Sequence, residues 1–137
     1  MATIKRIDHV AIVVEDINTA LPFWRDVLGL PLSHVEDMPE QRSKIAFMPL
    51  GGSEIELVQP TDDDSGVARY LAKRGPGMHH VALEVDDLDE KLAELQALGI
   101  ELINAAPVVA AGGNRAVFIH PRAANGVLVE LYEKLNG

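Results

Sequence analysis

Two histidines and two glutamates recur at matching places in this sequence, and together they make the donor set of a divalent-cation site. His9 lies in Asp8-His9-Val10-Ala11, and His80 in His79-His80-Val81-Ala82. Glu56 sits between Ile55 and Leu57, and Glu130 between Val129 and Leu131. The His-to-Glu separation is 47 residues in the first case (56 − 9) and 50 in the second (130 − 80). A lone histidine or glutamate on an apolar strand is usually a satisfied or solvated polar group. Four of them at equivalent places in a repeat point instead to one purpose. The chain has no cysteine, so a metal would be held by imidazole and carboxylate alone. That set suits a six-coordinate ion such as Co²⁺, Mn²⁺, Ni²⁺ or Zn²⁺ and leaves two positions for water or substrate. Open positions mark a catalytic rather than a structural site.

The repeat that aligns these residues extends beyond them. At the offset that brings His9 onto His80, 71 residues (80 − 9), Val10 meets Val81, Ala11 meets Ala82, Asp16 meets Asp87, Ile17 meets Leu88 and Leu21 meets Leu92. Each copy opens with a β-rich apolar run, continues to an aspartate placed as a helix N-cap, and then turns helical. Leu88, Leu92, Leu95 and Leu98 form the apolar stripe of the second helix, which Gly99 stops. Ile17, Leu21, Trp24 and Val27 form that of the first, which Gly29 stops. Pro22 falls inside the first helix, so that helix should start late or bend. Strands are expected near 31–34, 44–48 and 54–58, the last two joined by Gly51-Gly52, and again near 101–103, 116–120 and 126–132. A short helix over 65–73, capped by Ser65, precedes Gly75-Pro76-Gly77.

The expected fold is therefore α+β. Two β-α-β-β-β modules, about 1–62 and about 76–137, are joined by a linker helix at about 63–75 in one domain spanning 1–137. Paired, they would form a curved eight-stranded mixed sheet around the metal site. Side chains alternate across a strand. If Ile55, Leu57, Val129 and Leu131 face the helices, Glu56 and Glu130 face away from them. The same alternation sends His79 to the face opposite His80. His34 and His120 have no partner in the repeat and are not expected to bind metal.

Composition narrows the field of function. Hydrophobic residues make up 47% of the 137, enough for one sizeable core. Twelve basic against 21 acidic residues leave a net charge of −9, which argues against nucleic acid. No segment is apolar enough to span a bilayer or to act as a signal peptide, so the chain is expected to be cytoplasmic.

On these residues the sequence resembles the vicinal oxygen chelate superfamily, the glyoxalase-like proteins, and within it most closely the methylmalonyl-CoA epimerases. The resemblance is carried by Asp8-His9-Val10-Ala11-Ile12, Pro39-Glu40-Gln41, Glu54-Ile55-Glu56-Leu57, Val67-Ala68-Arg69-Tyr70-Leu71, Gly77-Met78-His79-His80-Val81-Ala82, Gly112-Gly113-Asn114-Arg115, His120-Pro121 and Gly126-Val127-Leu128-Val129-Glu130-Leu131. It implies metal ligation by His9, Glu56, His80 and Glu130, an acyl-CoA substrate and a homodimer. The implied reaction interconverts the C2 epimers of methylmalonyl-CoA, with Glu130 as one acid/base. Some relatives carry a second glutamate four residues beyond the Gln of the Glu-Gln motif. Here that place is Ile45, Lys44 beside it should face the other way, and Glu40 is the substitute candidate. Lys73, Arg74, Arg115 and Arg122 are available to anchor the phosphates of CoA. Competing readings are a glyoxalase I-type lactoylglutathione lyase, which shares the ligand pattern, and a non-catalytic small-molecule binder.

Overall fold

A computed structural model describes residues 2–135. The chain divides into two compact units, His9–His79 on the one hand and the described residues of Met1–Asp8 and His80–Gly137 on the other. The first strand, β1 (Ile4–Val13), thus contributes its end to the first unit and its beginning to the second.

The first unit continues with α1 (Ile17–Leu21), β2 (His34–Met38), β3 (Ser43–Leu50), β4 (Ser53–Pro60) and α2 (Gly66–Arg74). Its sheet has the order β2-β3-β4-β1, with β1 parallel to β4 and the other pairs antiparallel. Gly51-Gly52 makes the two-residue turn between the paired Leu50 and Ser53, and Gly51 takes a φ of 63°, which glycine adopts without steric cost. Asp16 caps α1, its side chain accepting from the Asn18 amide at 2.9 Å. Ile17 and Leu21 then bury against Ala46, Met48 and Leu57. The helix does not start late. It changes at Pro22, which has no N–H to donate. Pro22–Val27 forms a wider turn, in which the Leu28 amide reaches back five residues to the Phe23 carbonyl at 2.9 Å. The extra residue per turn rotates Val27 out of the expected stripe, and it is 74% exposed. β2 also departs from expectation: it begins where 31–34 was to end, because its ladder partners run from Phe47 opposite His34 to Ser43 opposite Met38.

The second unit contains β5 (Gly77–Val85, from His80 onward), α3 (Leu88–Ala97), β6 (Val108–Val109), β7 (Arg115–Ile119) and β8 (Val129–Glu133). The sheet order is β5-β8-β7-β6, with β5 parallel to β8. Asp87 caps α3, accepting from the Glu90 amide at 3.0 Å. Leu88 and Leu92 bury against Val85, Val117 and Leu131. Leu98 lies beyond the last helical turn, beside Gly99 at φ 72°, and is 76% exposed rather than part of the stripe. The expected strand at 101–103 is reduced to a single bridge, Leu102 to Ile119. Asn104 is the physical reason. Its side-chain oxygen accepts from the Phe118 amide at 2.7 Å, and its amide group donates to the carbonyls of Ala106 and Ala116. A side chain thus takes the place of the next backbone rung. The edge strand forms later, at Val108–Val109.

Each unit contains the strand–helix–three-strand order that the repeat predicts, with α2 falling inside the first unit and residues 2–8 inside the second. In each, the helix covers the face bearing the apolar neighbours of the key glutamate: Ile55 and Leu57 with α1, Val129 and Leu131 with α3. Among the described residues no helix is long and apolar enough to cross a membrane.

Two measurements follow. Leu57 is wholly buried, so Leu57→Ala should lower stability by about 2–5 kcal/mol, whereas Leu98→Ala should change it by less than about 0.5 kcal/mol; urea titrations compare the two. Arg115 on β7 donates to Asp89 on α3 at 2.7 Å, and that hydrogen bond, with the guanidinium charge, holds the Asp89 carboxyl below its usual range. A depressed carboxylate contributes stability above its unfolded pKa of about 4 and loses it as pH falls through the folded value. The stability difference between wild type and Arg115→Gln should therefore hold at neutral pH and shrink on acidification below about pH 4.

Candidate metal and acid–base site

The parallel pairing in each module places a histidine and a glutamate on one face. In module one His9 lies opposite Glu54 and Ala11 opposite Glu56, so His9 and Glu56 project together, away from α1. His9 Nδ1 and Glu56 Oε2 are 3.3 Å apart, and both residues are buried. In module two Ala82 lies opposite Glu130, so His80, two residues earlier, shares the face of Glu130. His80 Nε2 and Glu130 Oε1 are 2.9 Å apart. The flanking aromatics match as well. Phe47 stands opposite Glu56 on β3, and Phe118 opposite Glu130 on β7. The Phe118 ring meets His80 edge-on at 5.6 Å.

A carboxylate this deeply buried is costly unless it meets a hydrogen-bond donor or a cation. Each module answers with an imidazole. Each pair offers one ring nitrogen and one carboxylate oxygen, and neither offers a thiolate, a donor chemistry that fits borderline and hard divalent ions.

The other histidines are placed differently. His79 meets the Tyr70 ring edge-on at 4.9 Å. His120 accepts from the Arg122 amide at 3.0 Å and so caps a turn. His34 stacks on Phe47 at 4.7 Å, with Nε2 3.3 Å from Glu36 Oε1. Glu40 lies exposed in the turn Pro39–Gln41. Ile45 is buried on the Glu56 face, whereas Lys44 shares the parity of Ala46 and Met48, the helix side. Glu36 stands directly opposite Ile45 and is a residue that the sequence alone did not single out. The signal was the alternation His34-Val35-Glu36, which reads as one face only once β2 is known to continue past His34.

The basic residues sort by partner. Arg115 is engaged by Asp89 and by Glu133 at 3.2 Å, and Arg122 by Glu101 at 2.6 Å. Lys5, Arg6 and Lys134 gather around the buried Glu84 at 3.4, 3.3 and 3.9 Å, and Lys134 also reaches Asp8 at 3.2 Å. Arg25 pairs with Asp26, Arg42 with Asp62 and Asp64, and Lys91 with Glu94. Lys44, Arg69, Lys73 and Arg74 make no ion pair among the described residues, and all but Lys44 belong to α2. Arg74 lies over the Tyr70 ring at 5.5 Å.

Comparison with known proteins places the chain in a family and matches its fold to solved structures. Residues 8–118 match the model of the glyoxalase/bleomycin resistance protein/dioxygenase superfamily. The chain is 41% identical to the uncharacterized protein YqjC of Bacillus subtilis, over 93% of this chain and 91% of that protein. It is 38% identical to the mitochondrial methylmalonyl-CoA epimerase of Mus musculus, over 92% of this chain and 71% of that one. Among solved structures, the methylmalonyl-CoA epimerase of Mycobacterium tuberculosis superposes with a TM-score of 0.89 at 36% identity, covering 95% of this chain and 88% of that one.

Proposed function

The chain belongs to the glyoxalase/bleomycin resistance protein/dioxygenase superfamily, and from that premise we propose that it is an isomerase interconverting the C2 epimers of methylmalonyl-CoA. The observation that carries the proposal is the His–Glu pair, its glutamate buried, found in the same register in both modules of a chain that resembles named epimerases over nine-tenths of its length.

The chemistry asks for few parts. The C2 hydrogen of methylmalonyl-CoA lies between a thioester and a carboxylate, so its removal gives an enolate whose negative charge must be met. His9, Glu56, His80 and Glu130 are proposed to hold one divalent ion, among Co²⁺, Mn²⁺, Ni²⁺ and Zn²⁺, that supplies positive charge where that negative charge develops. Glu130, buried beside His80, is proposed to move the proton on one face of C2. Inversion also requires a group for the other face. Glu40, the candidate from sequence, projects from an exposed turn outside the sheet ladder, which gives it little hold on a defined geometry.

Phosphate binding is assigned to α2. The ion pairs of Arg115 and Arg122 remove them from the four candidates, leaving Lys73 and Arg74 and adding Arg69. The helix dipole favours cations in the last turn, which accounts for Lys73 and Arg74 in structural terms but not for Arg69 near the start. Free cations on one helix offset the acidic net charge where a polyanionic substrate needs it. A homodimer acting in the cytoplasm completes the proposal.

Two experiments test it. Co²⁺-loaded protein in deuterated water should exchange the C2 proton of methylmalonyl-CoA and interconvert its epimers, and Glu130→Gln should slow this about 10²–10⁴-fold. Turnover of the methylglyoxal–glutathione hemithioacetal with none of methylmalonyl-CoA would select a lactoylglutathione lyase instead. Reversing charge at Lys73 and Arg74 together should raise KM for the CoA thioester about tenfold or more, for two lost charge-assisted contacts, and leave KM for the phosphate-free pantetheine thioester near that of wild type. Equal effects on the two substrates would remove α2 from the binding site.

A further inference from the structure

Module one presents on its Glu56 face a second imidazole–carboxylate pair, one strand beyond Phe47. Four strands place it there in register. His34 on β2 lies opposite Phe47 on β3, Phe47 lies opposite Glu56 on β4, and β4 pairs with the segment of β1 that carries His9. Glu36, two residues after His34, therefore shares the face of Glu56 and stands opposite Ile45. The stacking of His34 on Phe47 at 4.7 Å, with 18° between the ring planes, confirms which way these side chains project.

The pair is oriented from both sides. Ser33 Oγ is 2.9 Å from His34 Nδ1, and His34 Nε2 is 3.3 Å from Glu36 Oε1. The tautomer with its proton on Nε2 satisfies both contacts, accepting from the Ser33 hydroxyl at Nδ1 and donating to the carboxylate at Nε2. The buried ring of Phe47 fixes the plane of the imidazole. Glu36 itself keeps 41% of its side chain exposed, so it can meet a substrate and exchange its proton with solvent. Other groups on this face are less suited. Ile45 has no group that can transfer a proton, and Glu56 is occupied with His9. Asp37 and Lys44 alternate to the opposite face.

We propose that Glu36 is the second acid/base of the reaction, with His34 as the residue that positions it. This rests on the epimerase reading above. The step balances without a co-reactant. The Glu36 carboxylate takes the C2 hydrogen of one epimer as a proton, and the C–H bonding pair becomes the enolate. Protonated Glu130 then delivers a proton to the other face of C2, forming the new C–H bond. The two carboxyl groups end with exchanged protonation states, restored by the solvent or by the reverse reaction.

Removing one of two bases has a signature that a structural role does not share. In deuterated water, wild type should label C2 of both epimers while interconverting them. Glu36→Gln should lose interconversion by about 10² or more, yet one epimer should still take up deuterium at C2 with its configuration retained, through Glu130 alone. His34→Gln should show the same one-sided loss, smaller in size, and Glu36→Asp should restore part of the interconversion. An active wild type beside a Glu36→Gln variant that interconverts epimers normally would overturn the assignment of Glu36 and leave the epimerase reading standing. So would equal loss of labelling from both epimers in a variant whose circular dichroism matches wild type. A wild type that neither labels nor interconverts the thioester would overturn both.

Discussion

The candidate site in this fold depends on placing a carboxylate in the middle of a buried strand. Glu56 and Glu130 each sit between two apolar residues that anchor the strand to a helix. Strand alternation then leaves the glutamate no choice of face. Desolvating a carboxylate costs several kcal/mol unless a donor or cation offsets it, and the same packing that buries Leu57 and Leu131 also buries the acid. The parallel pairing of each module's first and last strands brings a histidine to it, through His9 in one module and His80 in the other. The core therefore positions the site as a consequence of holding the fold together.

This coupling explains which features the sequence makes legible. A period of two over a few residues fixes which face a side chain takes, so the orientation of both glutamates can be read from their immediate neighbours. The caps Asp16, Ser65 and Asp87 are legible for the same local reason, since each accepts from an amide two or three residues ahead. Features that depend on partners distant in sequence are not legible in this way. Val27 is a local exception, leaving the helical stripe because nearby Pro22 widens the turn. The strand expected at 101–103 gives way because Asn104 bonds across to β7. The extent of β2, and with it the facing of Glu36, is set by the length of β3. Periodicity reports local geometry, whereas ladder length is a property of the pair of strands.

The duplication is also instructive where it breaks. At the 71-residue offset that aligns the two histidines, Val13 of module one corresponds to Glu84 of module two (84 − 13 = 71). Val13 is simply buried. Glu84 is equally buried but is surrounded by Lys5, Arg6 and Lys134, and its Oε1 makes no hydrogen bond among the described residues although Arg6 Nε lies 3.3 Å away. Lys5, Arg6 and Asp8 come from the start of the chain and Lys134 from its last described turns. A charge cluster of this kind adds little net stability over an apolar replacement. It ties the beginning of the first strand to module two through charge rather than through apolar packing.

The same comparison separates what the modules share from what each adds. Both supply the imidazole, the carboxylate and the facing phenylalanine, which is the minimum for a donor set suited to a cation. Among the described residues, module one extends that face with His34 and Glu36, whereas module two commits Arg115 to bracing β7 against α3. An inversion of configuration is itself asymmetric, because the two faces of the reacting carbon meet different surroundings. Two identical halves would offer the same groups twice. A duplicated scaffold that keeps its imidazole–carboxylate pairs in register while its halves diverge around them suits the proposed inversion, whose two half-steps are mirror-related but not equivalent.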